Sequence, residues 1–245
     1  MPSRKTQFFP GNFYHVFNRG NGKINIFRSD KDRYRFLQAL YLSNNGKPTL
    51  SIGRLDRHRC GYTLLDIKNI LKEADLFQDP LVKIGADVLM PNHFHLLLQE
   101  IKEGGIINFM QRLGTSYGKY FSVKHERPGG LFQGRFKAVP VENDDQLKYL
   151  IAYINIINPA QLVLPDLKKT GIKNNEIEQV WQFADKYNWS THQECMSRRD
   201  SILVDKNLFE EIFSSIEEYH NFVKNILCTK GTGEMWQAVG SSSID

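Results

Sequence analysis

Through the first 160 residues, strand-like runs take turns with stretches of helical spacing. GNFYHVFNRG, Gly11 to Gly20, is rich in aromatic and β-branched residues and closed by glycine at each end, which predicts a first strand. In SDKDRYRFLQALYLSNN, Ser29 or Asp30 can cap a helix, and Tyr34, Leu37, Leu40 and Tyr41 recur at helical spacing. YTLLDIKNIL, inside the segment from Gly46 to Leu71, fits strand or helix equally. LVKIGADVLM and HFHLLLQE form one or two strands about the Met90-Pro91-Asn92 break, where proline implies an edge, a bulge or a strand start. From Gly104, GGIINFMQRLGTSYGKYFSVKH predicts a long helix with Ile107, Met110, Leu113, Tyr117 and Tyr120 on one stripe. Gly114 and Gly118 weaken that helix but would let another backbone approach it. Pro128-Gly129-Gly130 is a turn, and LFQGRFKAVPV reads as a strand with a basic face. DDQLKYLIAYINIINPAQ is a second strong helix, capped by Asp144 or Asp145 and ended by Pro159.

Beyond Gln161 the texture changes. Residues 165–228 look helical and polar, with Trp181 and Trp189 as anchors, and DKNLFEEIFSSIEEYHNFVKNIL breaks into two short helices at Ser214-Ser215. Residues 229–245 are rich in Gly and Ser and read as a flexible tail. No internal repeat is present. The pattern predicts an α+β core with an antiparallel sheet over residues 1–164, a helical C-terminal appendage over 165–228, and the tail.

Composition narrows the class. With 41% hydrophobic and 24% charged residues in 245, the chain is ordinary globular protein. A net charge of +5 and a pI near 9.0 suit a polyanionic partner. Cys60, Cys195 and Cys228 are far apart and form no C-x-x-C pair, which argues against a disulfide framework or zinc ribbon and for free thiols in a reducing cytosol. No apolar run reaches membrane-span length, and the N-terminus lacks a signal core, so a cytoplasmic location is expected.

The chemistry centres on VLMPNHFHLLLQE, Val88 to Glu100. In a strand, His93 and His95 point to one face and Phe94 to the other. Two imidazoles on one rigid face can ligate one metal ion, whereas an ordinary pair of half-exposed histidines needs no ligand at all. The helix after Asp144 offers further groups: Tyr149 and Tyr153, four apart on one face, then Asn155 and Asn158. A tyrosine beside a metal-binding strand is a candidate covalent nucleophile toward a phosphate, and otherwise an amphipathic core residue.

FYHVFNRG, LMPNHFHLLL, FMQRLGTSYGKYF, GLFQGRFKAV and YLIAYINIINP, in that order, resemble the single-tyrosine HUH transposases of the IS200-like family, on the branch of the REP-associated tyrosine transposases. The core of the resemblance runs from Gln7 to Pro159, and a weaker texture continues through KYNWSTHQE and LFEEIFSSIEEYHNFV. It implies a ferredoxin-like, RRM-like antiparallel sheet with helices packed on one face, residues 1–164 being the catalytic domain. It implies that His93 and His95 hold a divalent ion, Mg²⁺ or Mn²⁺, and that Tyr153 attacks single-stranded DNA, leaving a 5′-phosphotyrosine and a free 3′-OH. Substrates of this kind are hairpin-containing single strands, and relatives act as dimers or monomers. In the family a polar ligand typically follows the tyrosine by four residues. Here that position is Ile157, Asn158 is five after Tyr153, and Asn155 only two after. A one-residue bulge before Pro159 would bring Asn158 round as the third ligand, ahead of Asn155. Tyr149 is the chief rival nucleophile, Tyr117 and Tyr120 read as core or DNA-facing, His15 as a support or DNA contact, and His125 as a phosphate contact.

Arg112, Lys119, Lys124, Arg127, Arg135 and Lys137 fall close together, interleaved with Tyr117, Tyr120, Phe121, Phe132 and Phe136. Cations for phosphates and rings for stacking make a single-strand groove, to which Asn18 and Arg19, and then Arg54, Arg57 and Arg59, are candidate additions. The alternatives are a non-catalytic module binding single-stranded nucleic acid on an RRM-like sheet, and a metal hydrolase built on the two histidines.

Overall fold

A computed structural model describes residues 6–47, 68–69, 79–167 and 171–228. The YTLLDIKNIL segment lies almost wholly outside these residues, and Cys60, Arg54, Arg57, Arg59 and the 229–245 tail lie outside them entirely.

The elements run β1 (Phe13–Arg19), α1 (Asp30–Ser43), β2 (Val82–Met90), β3 (His93–Glu100), α2 (Gly105–Lys124) and β4 (Lys137–Pro140). The strands form one antiparallel sheet in the order β2-β3-β1-β4. A β-α-β-β-α-β chain in that order is the split βαβ arrangement expected of a ferredoxin-like core. The Pro91–Asn92 turn divides the apolar run into two strands. It is pinned from outside, since Ile26 and Phe27 donate to the Pro91 carbonyl (2.9 and 3.0 Å) and Gly20 donates to the Asn92 carbonyl (2.8 Å).

Strand alternation sorts the residues between two cores. Tyr14, Val16, Phe94, Leu96 and Leu98 face α1 and α2. The opposite face, carrying Ala86, Val88, Met90 and Leu97, is covered by the rest of the chain: α3 (Asp144–Ala152), a π-helical turn (Tyr153–Ile157), α4 (Asn158–Ala160), α5 (Ile177–Lys186), α6 (His192–Cys195), α7 (Lys206–Ile212) and α8 (Ile216–Cys228). Both sheet faces are therefore covered, and α5–α8 share a hydrophobic core with the tyrosine-bearing segment. The outer edge of β2 is paired as well: Leu89 donates to the Trp189 carbonyl (2.8 Å) and Thr191 to the Asp87 carbonyl (3.0 Å). Gly85 sits at the β2 bulge, where a Cβ would lie 2.6 Å from the tip of the Leu208 side chain of α7.

Several local expectations shift. In α1 the buried face is Phe36, Ala39 and Leu40, while Tyr34 is 59% exposed and packs edge-on against Trp189. In α2 Met110, Leu113 and Tyr117 are buried as expected, and only the ends differ: Ile106 and Phe121 are buried, Ile107 is exposed and Tyr120 is half-buried. Gly114 and Gly118 receive no backbone, for a Cβ at either would meet nothing within 4 Å. Asn143 caps α3, accepting from the Gln146 N–H (2.9 Å), in place of Asp144 or Asp145. The basic strand shortens to Lys137–Pro140, because Leu131–Phe136 forms a loop held by Gln133 N–H to the Arg19 carbonyl (2.8 Å). No helix among the described residues is long and apolar enough to cross a membrane.

Asp87 lies buried on β2, where desolvation first and the Glu194 carboxylate second raise its pKa to about 7 against the pull of Arg199. The folded chain thus holds this proton to higher pH than the unfolded chain, whose carboxyl ionises near 3.8, so stability declines as pH rises from about 4 through about 7. Asp87→Asn is expected to be more stable than the parent by roughly 3 kcal/mol at pH 8, with the gain vanishing near pH 4, as read by denaturant unfolding at both pH values.

Candidate active site

The sheet face opposite α1 and α2 carries a histidine cluster. Antiparallel register sets Phe17 opposite His95 and Arg19 opposite His93, so β1 and β3 bring His15, Phe17, His93 and His95 together. His93 and His95 have ring centroids 5.1 Å apart with perpendicular planes, as two residues of one strand sharing a face allow. Each is oriented at Nδ1 by a neighbour: His95 by His15 Nε2 at 2.7 Å, and His93 by the Asn92 side-chain oxygen at 2.6 Å. Bonds of this kind fix the tautomer and ring plane of ligating imidazoles. His15 is therefore a support for His95, in line with its reading from the sequence. Asn92 has no counterpart in that reading, although its place directly before His93 was the available signal.

Tyr153 packs onto this cluster, its ring edge-on to His95 (5.4 Å between centroids, 89°) and to His15 (5.9 Å, 75°). It opens the π turn, in which the Asn158 N–H donates to the Tyr153 carbonyl, five residues back. A five-residue turn stacks Asn158 over Tyr153 as an α turn would stack Ile157. The cause lies in Pro159: in a regular α-helix its ring would collide with the Asn155 carbonyl, and one inserted residue relieves that clash. Asn158 is fully buried, its Oδ1 accepts from Gln161 Nε2 (3.1 Å), and its Nδ2 has no hydrogen-bond partner among the described residues. Asn155 points elsewhere. Its Oδ1 accepts from the Thr191 hydroxyl (2.7 Å) and its Nδ2 donates to Cys195 Sγ (3.2 Å), locking the π turn to α6.

The rival tyrosines are structural. The Tyr117 hydroxyl donates to the Ile26 carbonyl (2.5 Å) and the Tyr120 hydroxyl to Asp32 (3.0 Å). Tyr149 is 1% exposed in the core, and burial raises its phenol pKa well above the usual range. Tyr153, His95 and His15 are themselves fully enclosed, while His93 is half-buried at the end of the sheet.

The donor types near the site bear on a metal ion. Two imidazoles and a buried amide with an unsatisfied atom are neutral nitrogen and oxygen donors of kinds that suit a divalent cation, and a flip of the amide exchanges its O and N. Among the described residues no group of three or more His, Cys, Asp and Glu side chains is placed to hold a metal ion.

The basic residues divide into two sets. Asn18 donates to the Gly134 carbonyl (3.3 Å), Arg19 to the Gln133 side chain (3.1 Å) and Arg127 to the Gly130 carbonyl (3.0 Å), and with exposed Arg135 and Lys137 they ring the loop beside β1. Lys137 pairs with Phe17, which pairs with His95, and Arg19 pairs with His93, so these two adjoin the histidine face, whereas Asn18, paired with Phe94, and Arg135 line the other side of the sheet. Arg112, Lys119 and Lys124 lie along α2 instead. Arg112 donates to the Asn45 carbonyl. Lys124 is drawn inward to the buried Asp32 carboxylate at 2.6 Å, and His125 lies 3.3 Å from the same group. Both are thus engaged by a buried acid.

No protein-family model matches this chain, and no curated protein matches it. Among solved structures it is similar to a REP-associated tyrosine transposase bound to a REP hairpin, with 14% identity over 84% of this chain and 98% of that chain, at a TM-score of 0.43.

Proposed function

We propose that this protein cleaves and rejoins single-stranded DNA through a tyrosine-linked intermediate, as the ordered motifs shared with the HUH transposases imply. The observation that carries the reading is Tyr153 stacked edge-on against His95, on a π turn that sets Asn158 on the tyrosine's own face.

In the proposed step the Tyr153 oxygen bonds to phosphorus and the P–O3′ bond breaks. The phenol proton ends on the departing 3′-oxygen, and the strand keeps a 5′-phosphate esterified to the protein. Attack by a 3′-OH on that ester reverses the step and restores the phenol, so no nucleotide cofactor is consumed. His93, His95 and Asn158 would hold a divalent ion, Mg²⁺ or, given the nitrogen donors, more readily Mn²⁺, which supplies Lewis-acid polarisation of the phosphate. His15 and Asn92 keep the two imidazoles in their ligating orientation. Arg19 and Lys137 would take the DNA backbone on the histidine side, and Arg127 and Arg135 would continue its path around the loop before β4.

A second reading, a module that binds single strands without cutting them, is favoured by one observation: Tyr153 and His95 are both 0% exposed, so attack requires the π turn to lift from the sheet. A denaturing gel separates the two. With labelled hairpin DNA from the protein's genomic neighbourhood and Mn²⁺, a covalent adduct is expected, and none when EDTA is present from the start. Tight binding that gives no adduct with any hairpin and either metal would establish the binding module.

A further inference from the structure

A groove of about 700 Å³ opens on the other side of the sheet, between α2 and the loop before β4. Phe94, Met110, Leu113 and Leu131 floor it, and the half-buried rings of Phe132 and Phe136 flank it. Asn18, Gln111 and Arg135 supply polar groups, and among the described residues no carboxylate lines it. Its size and its apolar floor with few polar groups are those of a small-ligand site. Its position is informative. Asn18 and Phe94 form the register pair next to Arg19 and His93, and Phe94 lies between the two histidines in sequence, on the opposite face. A strand running past His93 at the end of the sheet therefore reaches this groove within a nucleotide or two.

We propose that this groove takes an unstacked nucleobase from the single-stranded DNA, immediately beside the phosphate at His93. This rests on the strand-transfer reading above and adds to it the place where the flanking strand is gripped. A base is flat, apolar on its faces and polar at its edge, which matches aromatic flanks with an amide and a guanidinium at the rim. The absence of acidic lining and the presence of Arg135 favour the attached phosphate over a neutral or cationic ligand. Gly114 is part of the wall, and a Cβ there would meet nothing within 4 Å, so the α2 backbone leaves room for the base.

That glycine also supplies the test. Gly114→Leu fills the groove while raising helix propensity, so the variant is expected to fold. Gly118→Leu is the matched control, on the same helix and also facing open space, but outside the groove. Binding of the full chain to a fluorescein-labelled hairpin with single-stranded flanks is measured by anisotropy, with each flanking nucleotide made abasic in turn. The parent is expected to lose about tenfold in affinity at one abasic position. Gly114→Leu should bind the intact strand about tenfold more weakly, show no further loss at that position, and keep the parent's salt dependence. Gly118→Leu should match the parent, and Phe132→Ala should repeat the Gly114→Leu pattern by removing a ring instead of adding bulk. Equal affinities for the parent and Gly114→Leu, or indifference of the parent to every abasic position, would overturn the proposal while leaving adduct formation untouched. Failure of the parent to bind any single strand would overturn both.

Discussion

Tyr153→Phe is expected to abolish the covalent protein–DNA adduct, lowering strand cleavage by about a thousandfold or more, while leaving strand affinity nearly unchanged. Only one oxygen is removed, and the ring keeps its packing on His95 and His15, so folding is preserved. Tyr149→Phe should retain the adduct. Both phenols lie in the same core, but it is the Tyr153 ring that packs on His95 and His15. A denaturing gel on the two variants beside the parent reads this directly, and an adduct that survives Tyr153→Phe but disappears in Tyr149→Phe would reassign the nucleophile. Asn158→Ala discriminates further. If Asn158 is the third ligand, its loss raises the Mn²⁺ concentration needed for half-maximal adduct and leaves the yield at saturating metal intact. A merely structural asparagine would instead change yield and thermal stability together.

Asp32→Ala is expected to cost about 3 kcal/mol of stability, a fall in Tm of about 10 °C for a chain of this size. The Asp32 carboxylate is fully buried at the start of α1. It accepts from the Arg28 and Ser29 N–H groups (2.9 and 3.1 Å), from the Tyr120 hydroxyl (3.0 Å) and from Lys124 (2.6 Å), with His125 at 3.3 Å. One group thus caps α1 and ties it to α2. Burial alone would raise its pKa, but the bonds from Lys124, Tyr120, Arg28 and His125 outweigh burial and hold it at about 2. A depressed carboxyl contributes fully above its unfolded value of 3.8, and its contribution, about 2 kcal/mol, is lost as pH falls toward 2. The stability gap between parent and variant should therefore narrow between pH 4 and pH 2 in denaturant titrations. A gap constant over that range would mean that packing, rather than the ionised carboxylate, sets the cost.

The two predictions draw on different depths of the sequence. HFH announces itself, because alternation in a strand commits both histidines to one face wherever the strand lies. Asp32 gave no such signal. An acid early in a helix normally reads as a solvated first-turn charge, and only the approach of α2 makes it a buried hub. Lys124 and His125 were read as phosphate contacts for the same reason, since a basic run shows its charge but not the acid that claims it.

Local chemistry, which needs only neighbours in the chain, was determined by the sequence alone. Strand and helix order in the first 160 residues, the Pro91–Asn92 break, the common face of His93 and His95, and the tyrosine helix before Pro159 all belong to this class. Tertiary structure decided everything that depends on which surfaces meet. Leu40 and Tyr41 of α1 and Met110, Leu113 and Tyr117 of α2 are buried as their spacing predicts, but packing buries Phe36 rather than Tyr34 and Ile106 rather than Ile107, residues about 100° or more apart around the helix. The C-terminal helices, polar in sequence, close the second sheet face through their minority of apolar residues and lend the Thr191 and Cys195 side chains to Asn155. The five-residue offset from Tyr153 to Asn158 was visible in the sequence as a departure from pattern. Its resolution into a π turn required the backbone itself, where Pro159 forbids the regular helix and packing on the sheet holds the extra residue in place.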